Sequence, residues 1–131
     1  MERSRVSGAS PYEAAYGFAR AVRSGKRIIV SGTAPVEPDG TSTPGDAAAQ
    51  ARRCLAIILA AIEELGGSAS DVVRTRMFLT DPADADTVGA VHGEIFRDVR
   101  PASTMVVVAA LLRPEWRIEI EAEALVWDDN D

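Results

Sequence analysis

The sequence predicts an α/β (α+β) domain: a mixed sheet with two helices on one face, in the order β-β-α-β-α-β-β. Three observations carry this. Residues 46–65 and 81–99 repeat apolar side chains at three- and four-residue spacing, as amphipathic helices do. Each lies between strand-like stretches and is long enough to cross over between strands of one sheet. Near the C-terminus "WRIEIEAEALVW" (116–127) alternates at every second residue, the period of a strand with two unlike faces. The chain, 1–131, is long enough for a single domain with one core.

Taken in order, residues 1–11 are polar and Gly/Ser-rich, so the N-terminus is expected to be loose, as are residues 128–131. A strand is expected over 16–22, with Phe18, Arg20 and Val22 on one face and Ala19 and Ala21 on the other. "RSGK" at 23–26 is a turn signal, and "RIIVSGTAP" follows as the second strand of an antiparallel hairpin. The Pro-, Gly- and Asp-rich run 36–46 is a loop. The first helix carries Ala47, Ala51, Cys54, Leu55, Ile58, Ile62 and Leu65 on one stripe, with Asp46 to cap its start and Gly66 and Gly67 to stop it. In "DVVRTRMFLT" (71–80), Arg74 and Arg76 share one strand face, and Val73, Thr75, Met77 and Leu79 the other. The second helix, 81–99, buries Val88, Val91, His92, Ile95 and Phe96.

The stretch 104–112, "TMVVVAALL", is apolar at both alternating sets of positions, the signature of a strand buried on both faces. Two helices cover only one face of the sheet. Each Val or Leu hidden on the other face recovers about 1.5–3 kcal/mol. Other copies of the chain are therefore expected to cover that face, making a homo-oligomer.

Composition narrows the function. The apolar share of 47 % and charged share of 26 % are those of a soluble globular chain, and the net charge of -6 lacks the cationic footprint a nucleic-acid binder needs. The single Cys54 allows no intramolecular disulfide and fits a reducing compartment. With no signal-like segment and no apolar run long enough to span a bilayer, the expected location is the cytoplasm. One His and one Cys, far apart, give no metal-ligand spacing.

The ordered set "AVRSGKRIIVSGTAP", "AAQARRCLAIILAAIEELGGSASDVVRTRMFLTD", "VHGEIF", "RPASTMVVVAAL" and "RIEIEAEAL" resembles the YjgF/RidA (Rid) family over about residues 15–126. The resemblance implies a chorismate-mutase-like fold and a homotrimer with a central β-barrel, outer helices and ligand clefts between subunits. It also implies hydrolysis of reactive enamines and imines to keto acids, releasing ammonia without a metal or organic cofactor. In that branch an arginine after a Pro-Ala pair holds the substrate carboxylate. Here Ser103 stands at that place, and a neutral hydroxyl cannot replace a bidentate guanidinium. Phe18 stands where the branch has a cleft tyrosine. Glu119 matches the cleft glutamate, and Ser31 and Gly32 match the "SG" whose backbone lines the cleft.

The site candidates follow. Glu119, in a partly desolvated cleft, is the expected acid or base that positions water on a C=N carbon. Glu121 and Glu123 read as partners of Arg74 and Arg76. Arg20, on the same strand face as Phe18, either supplies the anion-binding charge that Ser103 lacks or pairs with a strand glutamate. His92, the only histidine, is either a base and ligand contact or a hydrogen-bonded edge-of-core residue. Ser31 lines the cleft, with no general base evident beside it. Cys54 belongs to the core, Trp116 and Trp127 to edge and interface packing. Some Rid proteins carry an endoribonuclease label, which the acidic chain and the lack of a His pair argue against. Two functions stay open: an imine- or enamine-directed hydrolase acting on an anionic or carbonyl-containing metabolite, and a non-catalytic ligand-binding trimer.

Overall fold

The computed structural model describes residues 3–127; the expectation for 128–131 lies outside them. The strands are β1 (Arg3–Val6), β2 (Ala21–Ser24), β3 (Arg27–Thr33), β4 (Val72–Leu79), β5 (Ala102–Val107) and β6 (Ile118–Leu125). The helices are α1 (Tyr12–Tyr16), α2 (Ala47–Glu64) and α3 (Ala85–Phe96). The sheet order is β1-β2-β3-β6-β4-β5. β4 and β5 pair in parallel across the α3 crossover, and every other pairing is antiparallel. The last strand thus lies between β3 and β4, which α2 connects.

Helix α2 begins where Asp46 accepts a hydrogen bond from Ala49 N at 3.0 Å, a cap worth about 1 kcal/mol. It ends at Gly66, whose φ of 91° suits a residue without Cβ. Arg23 Nη1 closes that end by donating to Leu65 O at 2.7 Å. All seven residues of the expected stripe are buried, against Ile118, Ile120, Ala122 and Ala124 of β6 and against α3. The other face of β6 carries Glu119, Glu121 and Glu123.

Four expectations need correction. The strand expected over 16–22 begins only at Ala21: residues 12–16 form a short helix that Gly17, at φ 78°, ends, and 17–20 connect it to the strand. Phe18 and Arg20 therefore sit in the connection to β2, not on one strand face. Residues 3–6, within the stretch read as loose, form an edge strand on β2. In β4 a bulge between Val72 and Arg74 turns Val72 inward and leaves Val73 exposed, since an extra residue flips the alternation.

The fourth correction concerns 104–112. Pairing with β4 stops at Val107, and β5 is the outer strand, with Val106 and Val107 about half exposed in the protomer. The strand therefore takes in only the start of the apolar run, while the exposed Val106, Val107 and Leu112 agree with the expectation that a lone protomer leaves one face uncovered.

Candidate functional site

The site grows from an irregularity between β3 and β6. Pairing runs from Arg27–Leu125 to Val30–Ala122, then resumes at Thr33–Ile120, so Ser31 and Gly32 stand opposite one residue, Glu121. Such a bulge bends the strand and re-aims its neighbours. Local bonds hold it: Ser31 N donates to Arg20 O at 2.9 Å, Ser31 Oγ to Ala19 O at 2.8 Å, and Thr33 Oγ1 to Ser31 O at 2.8 Å. The β3 bulge and the 17–20 connection are thereby fixed to each other.

Gly32 leaves room for the Glu119 carboxylate. A Cβ there would lie 2.5 Å from Glu119 Oε2, so only glycine lets the carboxylate rest against the backbone. Arg20 approaches from the other side. Its Nη2 donates to Gly32 O at 2.8 Å, and its guanidinium lies 5.6 Å from the centre of the Phe18 ring. Only 5 % of Arg20 is exposed. Its Nε, and Oε2 of the equally buried Glu13, have no hydrogen-bond partner among the described residues. Glu13 Oε1 accepts from Gly8 N at 2.9 Å, which draws the N-terminal segment onto the site.

Electrostatics follow from this packing. Burial pushes the Glu119 carboxyl above its ordinary value; Arg20 opposes the shift and Glu121 adds to it. Burial lowers the Arg20 pKa, against the opposing pull of Glu13 and Glu119. A half-buried carboxyl that holds a proton more readily than usual can take one from water and return it to a leaving nitrogen.

These residues open onto a cavity of about 510 Å³ lined by Phe18, Arg20, Ser31, Gly32 and Glu119. Sequence reasoning missed its outer wall. Tyr12 and Tyr16, one helical turn apart, stack with ring centres 5.3 Å apart. Trp116 meets Tyr12 edge-on at 6.4 Å and is buried, not at an edge. Arg53, Ala56, Ile57 and Ala60 of α2, outside the stripe that packs on the sheet, also reach the cavity. The "YEAAY" spacing was the available signal for this wall.

The remaining candidates are placed elsewhere. Arg76 Nη1 pairs with Glu121 at 2.8 Å and with Glu123 at 3.9 Å, as expected; Glu123 also takes Arg27 at 3.1 Å, and Arg74 forms no ion pair among the described residues. Ser103 and His92 do not line the cavity within one protomer. His92 is a hydrogen-bonded edge-of-core residue: its Nε2 lies 2.8 Å from Thr75 Oγ1, and its ring packs on Phe96. Cys54 is fully buried, and burial pushes its thiol up, so it belongs to the core. Among the described residues no three His, Cys, Asp or Glu side chains gather to hold a metal, and no helix is long and apolar enough to cross a membrane.

A mixed sheet with two helices on one face, and a glutamate set against a glycine bulge at the rim of a cavity, define an α+β domain with a carboxylate-lined cavity. The chain belongs to the YjgF/RidA family, matching over residues 8–126 the family model described as endoribonuclease L-PSP. It is similar to a crystal structure from Mycobacterium tuberculosis, Rv2704, a YjgF/YER057c/UK114 family member. The two share 42 % identity and a TM-score of 0.86, covering 95 % of this chain and 100 % of that one. The 2-iminobutanoate/2-iminopropanoate deaminase of Escherichia coli is 39 % identical over 111 residues, 82 % of this chain and 86 % of that protein. Escherichia coli TdcF, solved with bound serine, is 30 % identical with a TM-score of 0.81 over 94 % of each chain.

Proposed function

We propose that this protein hydrolyses reactive imines or enamines of small carboxylates, giving a carbonyl product and ammonia. The observation that carries this is the Glu119 carboxyl, held against Gly32 beside the buried Arg20 at the rim of the cavity. Arg20 binds the substrate carboxylate, in place of the arginine whose position Ser103 occupies. Glu119 takes a proton from water as the oxygen adds to the C=N carbon. It returns that proton to nitrogen to give the carbinolamine, then takes the hydroxyl proton and passes it to the amine nitrogen as the C–N bond breaks, so the oxygen becomes the carbonyl and ammonia leaves. The deaminase name of the Escherichia coli relative supports the reaction class.

The working unit is a cytoplasmic homotrimer. The exposed Val106 and Val107 of β5 supply the apolar surface that a second copy covers, and Ser103, exposed on the same strand, then faces the neighbour's cleft. The free, buried Cys54 suits a reducing compartment.

The test is ammonia release from freshly generated 2-iminopropanoate. The expected result is a rate well above buffer that Glu119→Gln removes. Ligand-induced thermal stabilisation with no rate above buffer would replace this reading with a non-catalytic binder.

A further inference from the structure

We infer that the cavity selects carboxylates bearing an aromatic or comparably large apolar side chain, with Tyr12, Tyr16, Ala56, Ile57 and Ala60 setting the preference. This rests on the imine-hydrolase reading above and names its substrate class: the 2-imino acid of an aromatic amino acid rather than 2-iminopropanoate. The cavity has walls of two kinds. Arg20, Glu119 and the Gly32 backbone make a polar wall suited to a carboxylate and a C=N group. The Tyr12 and Tyr16 rings, Leu112, and Ala56, Ile57 and Ala60 of α2 add an apolar one that a methyl side chain has no use for.

Helix α2 carries a second apolar stripe. Ala51, Leu55, Ile58 and Ile62 are buried in the core with β6. Ala56, Ile57 and Ala60 lie outside that stripe, on the side a surface helix ordinarily gives to polar residues. Ala56 and Ala60 are exposed and Ile57 is half-buried, so this stripe has no full cover within the protomer. Two alanines one turn apart leave a shallow floor on which a flat ring can lie. Arg53, a turn earlier, is drawn aside: its Nε donates to Val36 O at 2.9 Å and lies 3.3 Å from the Glu37 carboxylate.

The ring wall is held in place from behind. Trp116 is buried, its Nε1 donates to Ser42 Oγ at 3.0 Å, and the Arg113 guanidinium lies 5.3 Å from its ring centre. Tyr12 stands edge-on to Trp116, and Tyr16 stacks on Tyr12 with the ring planes 25° apart. Exposure rises outward from Trp116 through the half-buried Tyr12 to Tyr16, which is 69 % exposed. Tyrosines offer large, flat contact area at little cost in side-chain freedom, and here their neighbours have already ordered them.

Volume decides between a small and a large side chain. The cavity of about 510 Å³ falls in the range, about 300–1,000 Å³, that takes drug-sized ligands. With 2-iminopropanoate in place, most of the apolar wall would stay wet. Ser103, which in the trimer proposed above faces a neighbour's cleft, brings only a short neutral hydroxyl and takes up little of that space. One more methylene buried in an apolar pocket is worth about tenfold or more in discrimination. A ring that is only partly covered therefore clears tenfold.

The experiment has two arms, both on the full-length protein. Calorimetry compares 3-phenylpropanoate with propanoate, stable carboxylates that need no turnover. Ammonia release, above the spontaneous rate, compares the imines that an amino-acid oxidase generates from phenylalanine and from alanine. The expected result is at least tenfold tighter binding of 3-phenylpropanoate and at least tenfold higher kcat/KM for the phenylalanine-derived imine. Tyr16→Ala, at an exposed position, and Ala60→Phe, which fills the floor from the helix surface, should each weaken 3-phenylpropanoate at least threefold. Affinities for the two carboxylates within threefold of each other, no weakening in either variant, or a kcat/KM that favours the alanine-derived imine would overturn the inference. Equal affinities with ammonia release from the alanine-derived imine would remove the ligand class and leave the hydrolase reading standing. Selective binding of 3-phenylpropanoate with no ammonia release from either imine would do the reverse.

Discussion

Replacing Gly32 by alanine isolates the placement of the Glu119 carboxylate from everything else in the fold. The new Cβ would stand 2.5 Å from Glu119 Oε2 and 3.3 Å from Cδ. Ordinary contact needs about 3.5 Å, so the carboxylate must retreat by about 1 Å. The obstacle is the free end of a side chain, which swings away at little cost. Gly32 is also absent from the glycines with positive φ, so alanine suits its backbone. Stability should therefore change by less than about 1 kcal/mol, and the reduced freedom of the unfolded chain favours the variant by about 0.4–1 kcal/mol. Catalysis is the sensitive quantity, because a displacement of about 1 Å can cost about a hundredfold. The assay is ammonia release from 2-iminopropanoate at saturating and limiting concentrations, alongside a thermal melt. We expect an unchanged melting temperature and a kcat lower by about two orders of magnitude. KM should be nearly unchanged, because Arg20 still holds the substrate. A kcat within threefold of the parent would refute the placement argument, and a large fall in melting temperature would refute the packing argument.

Other outcomes follow from the same geometry. The rate should rise with pH through the raised Glu119 pKa, above the ordinary glutamate value, and Glu119→Gln should abolish that limb; a limb unchanged in the variant would assign it elsewhere. Because the folded pKa is raised, the stability Glu119 contributes is complete below its unfolded pKa and is lost as pH rises through the folded value. Glu119→Gln should therefore melt with a shallower decline over that window, as calorimetry at several pH values would record. Arg20→Met removes the cation buried near Glu13 and Glu119 and should cost about 3 kcal/mol in urea denaturation, with a loss below 1 kcal/mol counting against the network. Val107→Lys should leave the protomer folded but reduce the sedimenting species to one chain, whereas a parent protein that already sediments as one chain would remove the trimer from the proposal.

Much of the architecture was legible because α2 and β6 obey single periodicities. The seven-residue stripe of α2, its Asp46 cap and its glycine stop all point to one helix, and the alternation of β6 fixes which face meets it. Legibility failed where one residue changes the phase. The bulge at Val72–Arg74 exchanges Val73 for Val72, and "YEAAYGF" is too short to declare a helix by period alone. The β5 error was one of extent: the apolar run 104–112 reads as one strand, whereas pairing with β4 ends at Val107.

The site was half readable. Glu119, Gly32, Ser31, Phe18 and Arg20 do meet at one cavity, although Phe18 and Arg20 arrive from a connection rather than a strand. The Tyr12, Tyr16 and Trp116 wall depends on long-range packing that no local pattern encodes.

The position of β6 has a consequence for biosynthesis. The strand that joins β3 to β4 is made after every other strand of this sheet, so the emerging chain carries two separate half-sheets with an empty slot between them. Until residues 118–125 arrive, α2 has no central strand to lie on and Gly32 has no Glu119 beside it. Closure of the sheet waits for synthesis of that strand, and a nascent chain cut short of it is left with two raw strand edges, a natural substrate for chaperones and proteases.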